Sequence, residues 1–174
     1  MHVEHQSSAD LAHLAELISP IGFAMLTNFD AAGALTSRPM APVRMDAHGA
    51  IWFLIDLEST KADRLQVLNL TFTDADHSTY VSLAGHGELD TDRVRIARLW
   101  TDAAKPWFPD GPGSVNLALL KFVPHTAEYW DGPRSRIVRS IALVTSKLIG
   151  QPVGLGEHGT VTQLTQSRSP AATD

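Results

Sequence analysis

The chain lacks cysteine entirely, so disulfides, cysteine-ligated metals and thiol chemistry are all excluded. It also has few charges, with 19% Asp, Glu, Lys and Arg and a net charge of −5. Such a surface argues against a nucleic-acid partner, which needs concentrated positive charge. No apolar run approaches the roughly 20 residues needed to cross a bilayer, and the polar start at residues 1–5 lacks a signal-peptide core. We therefore expect a soluble cytoplasmic protein with no membrane partner.

The 174 residues are 44% hydrophobic, which suits one folded domain with a real core. Apolar residues alternate or cluster in short runs between turn signals, which predicts strands. The predicted strands are 23–29, 35–45, 51–55, 70–73, 79–89 and a hairpin of 117–123 with 126–130 across Pro124 and His125. Helices are predicted at 10–18, from Ser59 or Thr60 to Leu68, at 92–100 and at 135–148.

These elements predict a mainly β fold with flanking helices, in which six antiparallel strands form a small closed or split barrel. The domain would cover residues 1–150, including the last helix. Residues 151–174, rich in Gly, Ser and Thr, would form a partly disordered tail.

Two cations stand out in this pattern. Arg38 lies in a proline-interrupted strand, and Lys61 follows Ser59 and Thr60 at the predicted start of a helix. Unpaired N–H groups at a helix start attract anions, and an arginine adds a planar fork of donors. Flanked by apolar strands, this pair predicts a site for a phosphorylated aromatic cofactor, with flavin mononucleotide (FMN) as the first choice. Each cation taken alone is equally compatible with an ordinary surface role.

An aromatic loop at 105–109 contains Trp107 and Phe108, which a monomer would leave exposed. Large exposed apolar side chains mark interaction surfaces, so the loop predicts a symmetric homodimer. The eight histidines are scattered. His77 lies in one turn with Asp74 and Asp76, but their spacing fits no standard ligand set, and no metal site is predicted.

Several segments resemble the split-barrel flavoproteins related to pyridoxamine 5′-phosphate oxidase, in their general stress protein branch. The segments are TSRPM (36–40), STKADRL (59–65), YVSLAGHGEL (80–89), KPWFPDGPG (105–113), LLKFVPHTAEYWD (119–131) and GEHG (156–159). The tryptophan-containing loop followed by AEYWD is the most specific of them.

This resemblance implies a six-stranded antiparallel split β-barrel (the FMN-binding split barrel) and a homodimer with FMN at the subunit interface. By position, the resemblance places Arg38, Pro39 and Met40 along the flavin, with backbone contacts from Phe53 and Leu54. Ser59, Thr60 and Lys61 would hold the phosphate, and Ser82 would lie near the ring system. Lys105 and Trp107 would reach the flavin of the other subunit.

The chain also departs from the oxidase itself. Thr60 stands where that enzyme has an arginine before the phosphate lysine, and the enzyme's C-terminal substrate-binding segment is missing. Oxidation of a vitamin B6 phosphate is therefore not expected. Two functions stay open: an FMN-dependent oxidoreductase with unknown substrate, and a non-catalytic flavin-binding or flavin-storage stress protein. The sequence identifies no catalytic residue and does not exclude FAD in place of FMN.

Overall fold

A computed structural model describes residues 1–58, 64–132, 157–162 and 164. Over these residues the chain forms nine β-strands and two α-helices. They are β1 (His2–Val3), α1 (Ala9–Ile18), β2 (Ala24–Phe29), β3 (Leu35–Met40), β4 (Pro42–Met45), β5 (Ile51–Asp56), β6 (Leu68–Asp74), β7 (Thr79–Asp90), α2 (Arg93–Leu99), β8 (Leu117–Asp131) and β9 (Glu157–Thr162). None of the helices in this part of the chain is long and apolar enough to cross a membrane.

All nine strands belong to one sheet, in which eight have the order β1-β4-β5-β8-β7-β6-β2-β3 and β9 pairs with part of β8. The long strand β8 serves three partners: it pairs with β7 along one edge, and with β5 and then β9 along the other. Apart from the parallel β1–β4 pair, the pairings among the described strands are antiparallel.

The two ends of this sheet are joined by a single residue. β3 lies at one end of the strand order and β4 lies next to the other end, yet only Ala41 separates them in sequence. Two consecutive peptide links span at most about 7 Å. The sheet must therefore curl until its ends meet, which is the curvature of a split barrel.

The prediction of a mainly β fold is confirmed, but the prediction of six strands is wrong. The predicted strand 35–45 changes partner at Ala41 and divides into β3 and β4. The predicted hairpin across Pro124 is one continuous strand, because His125 is the extra residue of a β-bulge between the Gly85–Pro124 and Ala84–Thr126 pairs. The short strand β1 and the late strand β9 were not predicted.

The helix predictions have mixed outcomes. α1 begins where expected, and the Ser8 hydroxyl accepts a hydrogen bond from the Leu11 N–H at 3.2 Å. α2 is likewise capped by Asp92. The predicted helix ending at Leu68 is wrong at that end, since Leu68 already belongs to β6. Its first residues, 59–63, and the predicted helix 135–148 lie outside the described residues.

The core consists of two apolar clusters on opposite faces of β5. Ile51, Phe53 and Ile55 join the larger cluster inside the curled sheet, whereas Trp52 and Leu54 join a smaller one beneath α2. Side chains alternate between the faces of a strand, so β5 is covered on both sides. This double burial fixes the position of β5 next to the sheet closure.

We predict that Gly85→Ala lowers the free energy of unfolding by at least about 2 kcal/mol, as overpacking does. A Cβ at Gly85 would overlap the Val123 carbonyl oxygen at the bulge. Gly22→Ala is the matched control, because no heavy atom lies within 4 Å of its added Cβ. Urea denaturation measures both, and an equal effect of the two substitutions would contradict the close packing at the bulge.

Candidate functional site

Where the two ends of the curled sheet meet at Ala41, two strand edges have no described strand paired with them, and we call the gap between these edges the seam. No described strand pairs with the outer edge of β3, and the pairing of β5 with β4 ends at the Pro42–Phe53 pair. Backbone N–H and C=O groups on such edges need partners and commonly find them in ligands. The predicted residues Arg38, Pro39 and Met40 lie on one edge of the seam.

Phe53 and Leu54 lie on the other edge. The Phe53 side chain is fully buried in the large cluster, and the Leu54 side chain packs in the small one. Only their backbone can therefore face a ligand in the seam, which is the role that the resemblance implied for them.

Arg38 is the most unusual charge near the seam. It pairs with Leu26 in the β2–β3 register and is half-buried, and burial lowers the pKa of its guanidinium. No hydrogen bond or ion pair joins its side chain to another residue in the described ranges. Arg44, by contrast, contacts the Glu4 carboxylate, and Arg93 donates to the Leu117 carbonyl. A partly desolvated cation without a counter-ion is costly, so Arg38 is suited to receive an anion.

The outer side of the sheet next to the seam carries rows of polar and apolar side chains, and we call this surface the open face. The register places one row at Pro39, Met25, Thr71, Ser82, Glu128 and Thr160. The adjacent row is Ser37, Thr27, Asn69, Ala84, Thr126 and Thr162. All of these residues are exposed or half-buried.

The predicted residue Ser82 lies in the middle of the open face. Its hydroxyl accepts a hydrogen bond from Asn69 Nδ2 at 2.9 Å, and Asn69 Oδ1 accepts one from Thr71 Oγ1 at 3.0 Å. The sequence reasoning did not single out Asn69 or Thr71. Their two-residue spacing in β6 was the available signal, because it puts both side chains on one face.

Large apolar side chains also lie exposed on the open face. They include Met25, Phe29, Leu35, Tyr80 at 40% and Trp130 at 43% exposure. Several large exposed apolar side chains on one face of a sheet favour an interaction site.

The aromatic loop divides its two rings between different environments. Phe108 packs edge-on against Trp100 with ring centroids 6.5 Å apart, whereas Trp107 is 65% exposed. Lys105 is exposed as well. No described contact joins Lys105 or Trp107 to Arg38 or Ser82 within one chain, so their reach to a second subunit stays a prediction.

The predicted phosphate residues Ser59, Thr60 and Lys61 lie outside the described residues. Their assignment also stays a prediction.

A cleft of about 570 Å³ lies elsewhere, beside Trp52, and its described lining includes none of the predicted site residues. The cations in that lining are paired within the protein: Lys121 Nζ lies 2.9 Å from a Glu88 oxygen, and Arg95 contacts Asp90. The Lys121 ammonium lowers the pKa of the Glu88 carboxyl. The seam is nevertheless the better candidate, because its cation has no partner among the described residues.

The curled sheet with an open seam is consistent with the split-barrel class of proteins. A family model described as pyridoxamine 5′-phosphate oxidase like matches residues 9–153. The chain therefore belongs to the pyridoxamine 5′-phosphate oxidase-like family, as the resemblance predicted.

Solved structures agree with this assignment and with its general stress protein branch. A protein of Jannaschia sp. CCS1 named for general stress protein 26 is 27% identical, with a TM-score of 0.70 over 89% of this chain and 99% of the other. A general stress FMN/FAD binding protein of Xanthomonas citri is 25% identical, with a TM-score of 0.60 over 72% and 89%. A Clostridium acetobutylicum protein related to general stress protein 26 is 22% identical, with a TM-score of 0.61 over 70% and 87%, and it supports the fold. Comparison with curated proteins gives no match.

We predict that Arg38→Leu leaves the free energy of unfolding of the ligand-free protein unchanged or raises it. The reason is that the substitution removes a half-buried charge that has no described partner. Arg44→Leu is the control and should lower this free energy by about 1–3 kcal/mol, because Glu4 loses its cation. Urea denaturation after exhaustive removal of small molecules tests both. A marked destabilisation by Arg38→Leu would show that Arg38 has a stabilising partner within the protein.

Proposed function

We propose that this protein binds FMN in the seam and acts as a flavin-dependent oxidoreductase. The observation that carries the proposal is the half-buried Arg38 guanidinium, which lies beside an open strand edge without a described counter-ion. A ligand with a phosphate would supply that counter-ion through charge-assisted hydrogen bonds. The naming of the Xanthomonas citri relative as an FMN/FAD binding protein supports the same ligand class.

The described residues of the seam and the open face offer this cofactor three further kinds of contact: apolar side chains, backbone groups and a hydroxyl. Pro39 and Met25 are paired in the register and offer apolar contact on the open face. Backbone groups of Met40 and Leu54 lie on the two open edges, and the Ser82 hydroxyl lies on the open face. Ser59, Thr60 and Lys61 would complete the phosphate site, as the sequence predicts.

When bound, the flavin would supply the redox chemistry, and the protein would bind it, orient it and tune its potential. The described residues at the seam are a cation, hydroxyls, backbone edges and apolar side chains. Their chemistry supports binding and orientation, and we assign no acid or base among them. FAD would use the same phosphate and ring contacts, and the substrate stays open.

We further propose that two copies form a dimer around the cofactor. The exposed apolar side chains of the open face and of Trp107 support this proposal, because association would remove them from water. Lys105 and Trp107 would then reach the site of the partner subunit, which explains why one chain does not bring them to Arg38.

The visible spectrum of the purified protein tests the proposed cofactor. A yellow protein that releases FMN on denaturation, or binds added FMN at micromolar concentration, supports it. A colourless protein that binds no flavin overturns it. Reduced nicotinamide cofactor then separates the two functions that the sequence left open. Rapid bleaching followed by reoxidation indicates an oxidoreductase, whereas persistent colour indicates a binding or storage protein.

We predict that Arg38→Leu weakens FMN binding about tenfold to a hundredfold but changes riboflavin binding little. A hydrogen bond to a charged group contributes about 1.5–3 kcal/mol to binding. The FMN complex would lose this contribution, whereas riboflavin has no phosphate and so has no such bond to lose. Fluorescence titration with both ligands measures the difference, with Arg44→Leu as the control. Equal losses for FMN and riboflavin would show that Arg38 does not contact phosphate.

We also predict that Trp107→Ala weakens self-association, because it removes the largest exposed side chain of the aromatic loop. Val94→Ala is the control, since Val94 is 69% exposed on α2 and belongs to no proposed interface. Sedimentation velocity over a concentration series compares the two variants. Unchanged association of Trp107→Ala would remove the loop from the interface.

A further inference from the structure

Three polar side chains on the open face form a directed hydrogen-bond chain. Thr71 donates to Asn69 Oδ1, and Asn69 Nδ2 donates in turn to Ser82 Oγ. The β6–β7 register places Thr71 opposite Ser82, so two neighbouring strands hold the three residues together.

The direction of this chain determines what Ser82 can offer. A hydroxyl has one proton and two acceptor lone pairs. Asn69 occupies a lone pair of Ser82 Oγ, and in the described structure Ser82 donates its own proton to no other residue. The Ser82 hydroxyl is therefore left as a donor.

We propose that Asn69 is a positioning residue that presets Ser82 as a hydrogen-bond donor to an acceptor atom of the flavin ring system. This inference rests on the proposed FMN site, and it adds a residue whose action on the ring passes through Ser82. Reduced flavin is richer in electrons than oxidised flavin, so a donor stabilises the reduced form more. The Thr71–Asn69–Ser82 chain thus raises the reduction potential of the bound cofactor.

A double-mutant cycle with redox readout tests the role of Asn69. The variants are Ser82→Ala, Asn69→Ala and the double substitution, with Thr126→Ala as a control on the same face. Affinities for oxidised and reduced FMN are measured anaerobically, together with the reduction potential of the complex. In Ser82→Ala, we expect the affinity for reduced FMN to fall about threefold to tenfold, the range for one neutral hydrogen bond. The affinity for oxidised FMN should fall less, and the potential should become more negative.

Asn69→Ala should shift the potential in the same direction, and its shift should largely vanish when Ser82 is already alanine. Thr71→Val provides a second test that preserves side-chain shape, and it should give a smaller shift of the same sign. Thr126→Ala should leave the potential unchanged.

The failures of the two proposals are distinguishable. A parent protein that binds neither oxidised nor reduced FMN overturns the proposed function, and this inference with it. A parent that binds FMN while Asn69→Ala and Thr71→Val leave the potential unchanged overturns only the positioning role. The positioning role is also overturned if Asn69→Ala shifts the reduction potential as much in the Ser82→Ala protein as in the parent. Asn69 would then act on the cofactor without Ser82.

Discussion

The change of pairing partner at Ala41 is the constraint on which the rest of the structure depends. Before this residue the chain pairs with β2, and after it the chain pairs with β5, at the opposite end of the sheet. One bent segment therefore brings the two ends of the sheet together, but it leaves the strand edges of the seam without a described partner strand. Pro39 and Pro42 suit this position because neither has an N–H to donate to a continuous ladder. The closure and the open seam thus have the same structural cause.

At Arg38 in the seam, the stability of the folded protein and the binding of an anion make conflicting demands. Arg38 loses part of its hydration at the strand edge but gains no described counter-ion, while Arg44 on the next strand contacts Glu4. Folding of the described residues gives no reason to place here a guanidinium that has no partner among them. An anionic ligand removes the conflict, because it would pair the charge that folding has partly desolvated. This is why the seam is a better candidate than the cleft beside Trp52, whose described cations have carboxylate partners.

The sequence is most informative where periodicity and capping act locally. The predicted helices 10–18 and 92–100 match α1 and α2 to within one residue at each end, with Ser8 and Asp92 as the observed caps. The predicted strand 79–89 likewise matches β7 to within one residue. Local rules fail where distant partners decide. Pro124 looks like a hairpin turn, but pairing with Gly85 carries β8 through it as a bulge.

The same limit applies to the candidate site. Arg38 and Ser82 could be selected by motif, and the structure places them at the seam and on the open face. Whether Arg38 has a partner among the described residues depends on which of them lie near it in space, which local sequence does not reveal. The contact of Asn69 with Ser82 requires the β6–β7 register, since 13 residues separate them in the chain.

That register is itself fixed from inside the sheet. The pairs Leu70–Leu83 and Phe72–Val81 lie in the core, on the opposite face from the Thr71–Ser82 pair. A slip of one residue between β6 and β7 would expose these apolar side chains and bury the polar ones. The burial of four large side chains therefore holds Asn69, Thr71 and Ser82 in place on the outer surface. The hydrophobic core, and not the polar groups that would contact the cofactor, therefore sets where those polar groups lie.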